Sequence, residues 1–137
     1  MKQHTTNYIN TFIEVAEDCP TFHAQIPPQK EEKTLANLQY EQISKHPYQY
    51  SSDDIIFDCY SFKNGISENE KQEARNQFFS KGQACLRSSP LAKRYGFGIH
   101  HNLEGKVAIF PIESEEYQKL LNDPSIAKTK AMRSKRK

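Results

Sequence analysis

One segment of the chain places glycine, two hydroxyl side chains and four basic residues within sixteen positions. It covers residues 81–96 and reads KGQACLRSSPLAKRYG. Ser88 and Ser89 precede Pro90, and proline is favoured at the first position of a helix. The N–H groups at the start of a helix have no partner within the helix, so a phosphate or carboxylate group can bind to them. The segment therefore predicts a binding site for a small anionic ligand.

The basic residues of this segment are the expected ligand contacts. The guanidinium group of Arg87 matches two oxygens of a phosphate or carboxylate, and Lys93 and Arg94 add positive charge. The complete set of predicted ligand-binding residues is Arg87, Ser88, Ser89, Lys93 and Arg94. The glycine spacing does not match a phosphate-binding P-loop. In the alternative interpretation the serines only cap the helix and the cations are solvated surface side chains.

Cys85 supports a second hypothesis, a small cysteine-dependent enzyme. Arg87 and the nearby helix start would favour a thiolate, and His100 or His101 would act as the base. The sequence contains no identifiable third residue to orient that base and no family-specific cysteine signature around Cys85, so we assign no catalytic residue. The alternative is that Cys85 packs as a small apolar side chain.

The cysteines and histidines do not have the spacing of a disulfide framework or a metal site. Cys19, Cys59 and Cys85 are odd in number and far apart in the sequence. Neighbouring residues of a strand point to opposite sides of a sheet, so His100 and His101 would not bind one ion together. We therefore predict no metal and no cofactor. We also predict that the thiols are reduced, which indicates a cytoplasmic location.

Length and composition predict one small domain with an aromatic core. The chain has 137 residues and a formal net charge of +2, and only 28 residues are Leu, Ile, Val or Phe. Seven Tyr and eight Phe residues supply much of the apolar surface available for burial. No apolar run approaches the ~20 residues of a membrane helix, and the first residues lack the apolar core of a secretory signal. We therefore expect no membrane association.

The order of the predicted elements indicates an α+β fold. The elements are predicted from the spacing of apolar residues and from capping residues, Gly and Pro. The predicted strands cover 11–15 and 55–62, and a hairpin joins 97–101 with 106–110. The predicted helices run from Thr34 to the residue before Pro47, from the Ser67–Glu70 capping box to about residue 80, from Pro90 over a short stretch, and onward from Ser114. The expected domain has about four mostly antiparallel strands, with helices packed on one face.

The end of the chain differs from the rest in charge. Residues 126–137 carry six basic side chains and no acidic one, whereas residues 1–125 have a net charge of −4. We therefore predict a single α+β domain over residues 1–125 and a basic C-terminal tail over residues 126–137. By charge alone the tail would bind nucleic acid or an acidic protein, although it lacks aromatic residues for stacking on bases. The alternative is a solvated terminus.

Four segments carry a resemblance to a known family. They are residues 12–16 (FIEVA), 47–54 (PYQYSSDD), 79–96 (FSKGQACLRSSPLAKRYG) and 130–136 (KAMRSKR). Over nearly its whole length the chain resembles a family of small microbial proteins known only as a domain of unknown function. The resemblance implies no activity, cofactor or catalytic residue. It does imply that the basic ending belongs to the family's own sequence.

Overall fold

A four-stranded sheet forms the centre of the fold. A computed structural model describes residues 3–134 of the chain. Its strands are β1 (Thr11–Glu14), β2 (Phe97–His101), β3 (Val107–Pro111) and β4 (Ala127–Lys130). They lie in the order β3-β2-β1-β4, and β1 pairs with β4 in parallel whereas the other pairs are antiparallel. The predicted α+β class and mostly antiparallel sheet are confirmed.

Five helices connect these strands within residues 3–134. They are α1 (Leu35–Lys45), α2 (Ser52–Asn64), α3 (Lys71–Phe78), α4 (Pro90–Lys93) and α5 (Glu115–Leu121), with 3₁₀ turns at Glu68–Glu70 and Leu86–Ser88. The starts predicted at Thr34, Ser89 and Ser114 are confirmed, because each of these side chains accepts a hydrogen bond from a backbone N–H of the helix that it caps. None of the helices in this part of the chain combines the length and apolar character needed to cross a membrane.

The two faces of the sheet bury different clusters of side chains. Ile13, Ile99 and Val107 belong to a cluster to which α1, α2 and α4 contribute. Phe12 packs instead against Tyr117 of α5, with ring centroids 4.9 Å apart. Since alternate residues of a strand point to opposite faces, α5 covers the face opposite the other helices. The larger core therefore lies on the side of the sheet that carries the segment at 81–96.

The prediction of a strand over 55–62 is wrong, because these residues lie inside α2. Ser51 and Asp54 form a capping box at its start, and Gly65 ends it with a left-handed backbone at φ +62°. Ile55 is buried in the main core, whereas Phe57 packs on Phe78 of α3 with ring centroids 5.7 Å apart. The helix is apolar on two sides because α1 and α3 both flank it. Its sequence therefore lacks the single apolar face by which a surface helix is recognised.

The fourth strand lies within the segment predicted as a basic tail. Ala127–Lys130 pairs with β1 from Thr11 to Glu14, so the sheet extends beyond residue 125. Lys128 donates from Nζ to the carbonyl oxygens of Asp123 and Ile126, both at 2.6 Å, and Lys130 lies 3.5 Å from Glu17. An edge strand has one side open to water and tolerates lysines. Because of these lysines, the segment lacks the apolar pattern from which a strand is predicted. Residues 135–137 of the predicted tail lie outside the described residues.

Candidate functional site

The helix starts of the predicted anion-binding segment are formed as expected, but Ser89 is fully occupied by the fold. Its side chain is only 2% exposed. The Ser89 hydroxyl accepts a hydrogen bond from the backbone N–H of Leu91 at 3.1 Å and donates one to Oε1 of Gln39 at 2.5 Å. Ser89 therefore caps α4 and links that helix to α1, and no donor of its side chain is left for a ligand.

The side chain of Arg87 contacts the end of the sheet. Its Nε donates to the carbonyl oxygen of Lys130 at 2.8 Å, and its own carbonyl oxygen accepts from the N–H of Met132 at 2.8 Å. These two bonds tie the 3₁₀ turn before α4 to β4 and to the residues after it. The position of Arg87 is explained by this structural role.

The remaining three predicted residues line a single cleft. Ser88, Lys93 and Arg94 border an open depression of about 400 Å³ between α4 and the segment 28–36. The opposite wall adds the side chain of Lys30, which is not among the residues predicted from the sequence. We call this depression the basic cleft and define it by Lys30, Ser88, Lys93 and Arg94.

The charge of the basic cleft is uncompensated. No acidic side chain lines it among residues 3–134, and Lys30, Lys93 and Arg94 form no ion pair with any described residue. Lys30 and Arg94 are exposed and Lys93 is half-buried. Three unpaired cations around one concave surface attract anions, with a strength that depends on salt.

The first turn of α1 also faces this cleft. Leu35 and Ala36 line it, and the turn contains no acidic residue that would neutralise the positive end of the helix dipole. The Thr34 hydroxyl accepts from the N–H of Asn37 at 3.2 Å, so it satisfies only one of the free N–H groups of the first turn. The helix start that favours an anion at this cleft is therefore that of the 11-residue α1. The short α4 offers none, because Pro90 has no N–H and the N–H groups of Leu91 and Ala92 donate to Ser89.

Cys85 lies in a second depression that adjoins the basic cleft. Cys59 and Cys85 both line a cavity of about 270 Å³ between α1, α2 and residues 83–89, which we call the apolar cavity. Burial raises the pKa of the Cys59 thiol to about 12. Cys85 is half-buried, and its Sγ lies 3.4 Å from the Tyr8 hydroxyl. Leu35 and Ser88 line both depressions.

The predicted pairing of Cys85 with a histidine base is not formed within residues 3–134. His100 Nδ1 lies 2.9 Å from the Tyr48 hydroxyl, and His101 is fully buried, with its ring 5.3 Å from that of Tyr8. Neither histidine lines the apolar cavity. The enzyme hypothesis stays a prediction that rests on Cys85 alone.

The two histidines contribute instead to the buried centre of the sheet. Neither ring nitrogen of His101 forms a well-aligned hydrogen bond with any of residues 3–134, although the carbonyl groups of Thr11 and Ile99 lie near the ring. Burial, with a smaller contribution from His100, lowers the pKa of His101 to about 4. Burial likewise lowers the pKa of His100. Both side chains are therefore neutral at pH 7.

The other reactive side chains do not assemble into a metal site. Within residues 3–134, no three His, Cys, Asp or Glu side chains lie close enough together to hold a metal ion. The three cysteines are unpaired.

Fold and cleft together define a small α+β domain that presents a basic cleft on one side of its sheet. The chain belongs to a family of unknown function, DUF6157, and the match covers residues 3–137. The resemblance predicted from the sequence is thereby confirmed, including its extension through the basic ending. The chain has no significant similarity to a curated protein or to a solved structure.

Proposed function

We propose that this chain is a non-enzymatic binding protein that holds the phosphate or carboxylate group of a small ligand in the basic cleft. The observation that carries this proposal is that Lys30, Lys93 and Arg94 line one cleft to which no acidic side chain of the described residues contributes. Arg94 would grip two ligand oxygens through its planar guanidinium group, and the two lysines would act as point charges. We place this activity in the cytoplasm, which the three unpaired thiols support.

The magnitude of the electrostatic interaction supports a ligand of small size and high charge. A charge pair at about 4 Å contributes between about 1 kcal/mol in water and about 4 kcal/mol near a protein surface. Three such interactions offset the loss of ligand freedom on binding only if they act on one anionic group. The hydroxyl of Ser88 now donates to the carbonyl oxygen of Cys85 at 2.8 Å, and it would rotate to donate to the ligand.

Replacing Arg94 tests the proposal most economically. We expect Arg94→Ala to reduce the affinity for inorganic phosphate about tenfold or more, because a hydrogen bond to a charged group contributes about 1.5–3 kcal/mol. The free energy of unfolding should change by less than about 0.5 kcal/mol, because the side chain is exposed and forms no ion pair with a described residue. Isothermal titration calorimetry and chemical denaturation measure the two quantities.

Arg87→Ala is the matched control, since it removes an arginine side chain that does not line the basic cleft. This variant should keep the phosphate affinity of the wild-type protein. It should lose about 1 kcal/mol or more of stability, because the bond from Nε to the Lys130 carbonyl oxygen is removed. The opposite pattern, with affinity lost in Arg87→Ala and kept in Arg94→Ala, would contradict the proposed site.

A further inference from the structure

The apolar cavity and the basic cleft are neighbouring parts of one surface. Leu35 and Ser88 line both, so they form the boundary between the two depressions. A ligand group bound by Lys93 and Arg94 would have Leu35 and Ser88 beside it, and the apolar cavity lies beyond them. The geometry offers a place for the uncharged body of an anion whose charged end lies in the basic cleft.

The walls of the apolar cavity suit a hydrocarbon body. Its apolar lining consists mainly of Leu35, Ile56, Tyr60 and Leu86 with the two thiols. Lys63 is the one charged side chain among its described lining residues, so the cavity contributes no negative charge that would repel an anion. Leu35, although apolar, is 40% exposed, and a ligand would cover part of that surface.

One polar side chain of the cavity wall is held by the fold. Gln39 is 3% exposed and lines the cavity, and its Oε1 accepts the hydrogen bond from Ser89.

The volume of the cavity limits the size of this body. An apolar cavity of about 150 Å³ is sufficient to hold benzene. Sites for drug-sized ligands have volumes of about 300–1,000 Å³. At about 270 Å³ the apolar cavity has room for a short alkyl chain or one ring.

We propose that the ligand of the basic cleft is a small amphipathic anion, a phosphate or carboxylate carrying a short apolar body that enters the apolar cavity past Leu35 and Ser88. This inference rests on the proposed function and deepens it. It names the class of ligand, whereas the cleft by itself would accept a bare anion.

A series of alkyl phosphates tests this inference on the full-length protein. Each buried methylene contributes about 0.8 kcal/mol, which corresponds to about a fourfold gain in affinity. We therefore expect butyl phosphate to bind up to about fifty times more tightly than methyl phosphate in isothermal titration calorimetry. Ala84→Phe places a large side chain at the wall of the cavity, from an exposed position, and should remove this gain while leaving the affinity for inorganic phosphate unchanged.

A control variant and a cysteine-protection experiment show whether the alkyl group binds in the apolar cavity. Ala127→Phe introduces the same change at an exposed position of β4, away from both depressions, and should retain the gain with chain length. In the wild-type protein, butyl phosphate should slow the alkylation of Cys85 by iodoacetamide. The half-buried Cys19, which lines neither depression, should react at an unchanged rate in the same sample by mass spectrometry.

The outcomes separate the two proposals. Binding of inorganic phosphate without a gain from methyl to butyl phosphate, and without protection of Cys85, overturns the amphipathic ligand and leaves the proposed function standing. Absence of binding by inorganic phosphate and by every alkyl phosphate overturns the proposed function itself.

Discussion

The free energy of unfolding should fall by about 2 kcal/mol when the pH is lowered from 7 to 5, mainly because His101 is buried. The pKa of this side chain is about 4 in the folded protein, against a usual value of 6.5. Between these values the unfolded chain binds a proton that the folded protein does not bind, so acid favours unfolding. The stabilising contribution is fully present above pH 6.5 and is lost as the pH falls towards 4. At about 1.4 kcal/mol for each tenfold difference in proton affinity, the total loss is about 3 kcal/mol.

Replacement of His101 by Phe should remove most of this pH dependence. Phenylalanine does not titrate, and a ring of similar shape at this position keeps the contact with Tyr8. Urea denaturation at pH 7, 6 and 5 measures the effect. His23→Phe, at an exposed position, is the control and should leave the pH dependence in place. A His101→Phe variant that loses as much stability in acid as the wild-type protein would contradict this explanation.

Gly98→Ala should be strongly destabilising, by about 3 kcal/mol or more. A Cβ at this position of β2 would lie 2.5 Å from Cζ of Phe12 and 2.6 Å from Cε2 of Tyr117. Both rings are buried, and the Tyr117 hydroxyl oxygen accepts the N–H of Val15 at 2.9 Å, so neither ring can move without losing contacts. Overpacking of a core in this way costs about 1–3 kcal/mol, and more where the neighbours are held in place.

Gly82→Ala provides the comparison for this measurement. Apart from Gly82 itself and its two chain neighbours, no atom of residues 3–134 lies within 4 Å of a Cβ built at Gly82. The same substitution there should be neutral, or stabilising by about 0.4–1 kcal/mol because alanine has fewer conformations in the unfolded chain. Equal stability of the two variants in urea denaturation would show that α5 does not pack against Gly98 as described.

Local signals in the sequence were sufficient to predict those elements whose start and stop are marked by capping residues or by proline. Thr34 and Pro47 delimit α1, and Ser114 starts α5, because caps and breakers act on the backbone of their neighbours. The helix predicted to reach about residue 80 ends at Phe78, where its last turn meets the ring of Phe79. Boundaries of this kind depend on packing as much as on capping.

Elements that depend on distant partners were not predictable. The apolar residues of α2 face two neighbouring helices, and the resulting pattern resembles that of a central strand. β4 carries lysines and acquires its character from pairing with β1, more than a hundred residues earlier in the chain. The segment that was predicted as a tail is basic, but part of it forms the edge strand β4.

Only part of the candidate site was predictable, because some of its residues come together only in the folded chain. Lys93 and Arg94 follow the start of α4 closely, so their position beside a helix terminus followed from the sequence. Lys30 reaches the cleft only because the segment before α1 folds back towards α4, and no local pattern marks it. Arg87 is adjacent to Ser88 in the sequence, yet its side chain bonds to Lys130 on the sheet edge.

Titration of the ¹⁵N-labelled protein with inorganic phosphate, followed by NMR, shows directly where on the protein an anion binds. Binding in the basic cleft should produce saturable shifts of the backbone N–H signals of residues that border it, namely Leu35, Ala36, Ser88 and Lys93. The signals of Met132 and of β4, beside Arg87, should not move. Shifts centred on Arg87 and β4, or no saturable shift at all, would contradict the claim that this cleft is the anion-binding site.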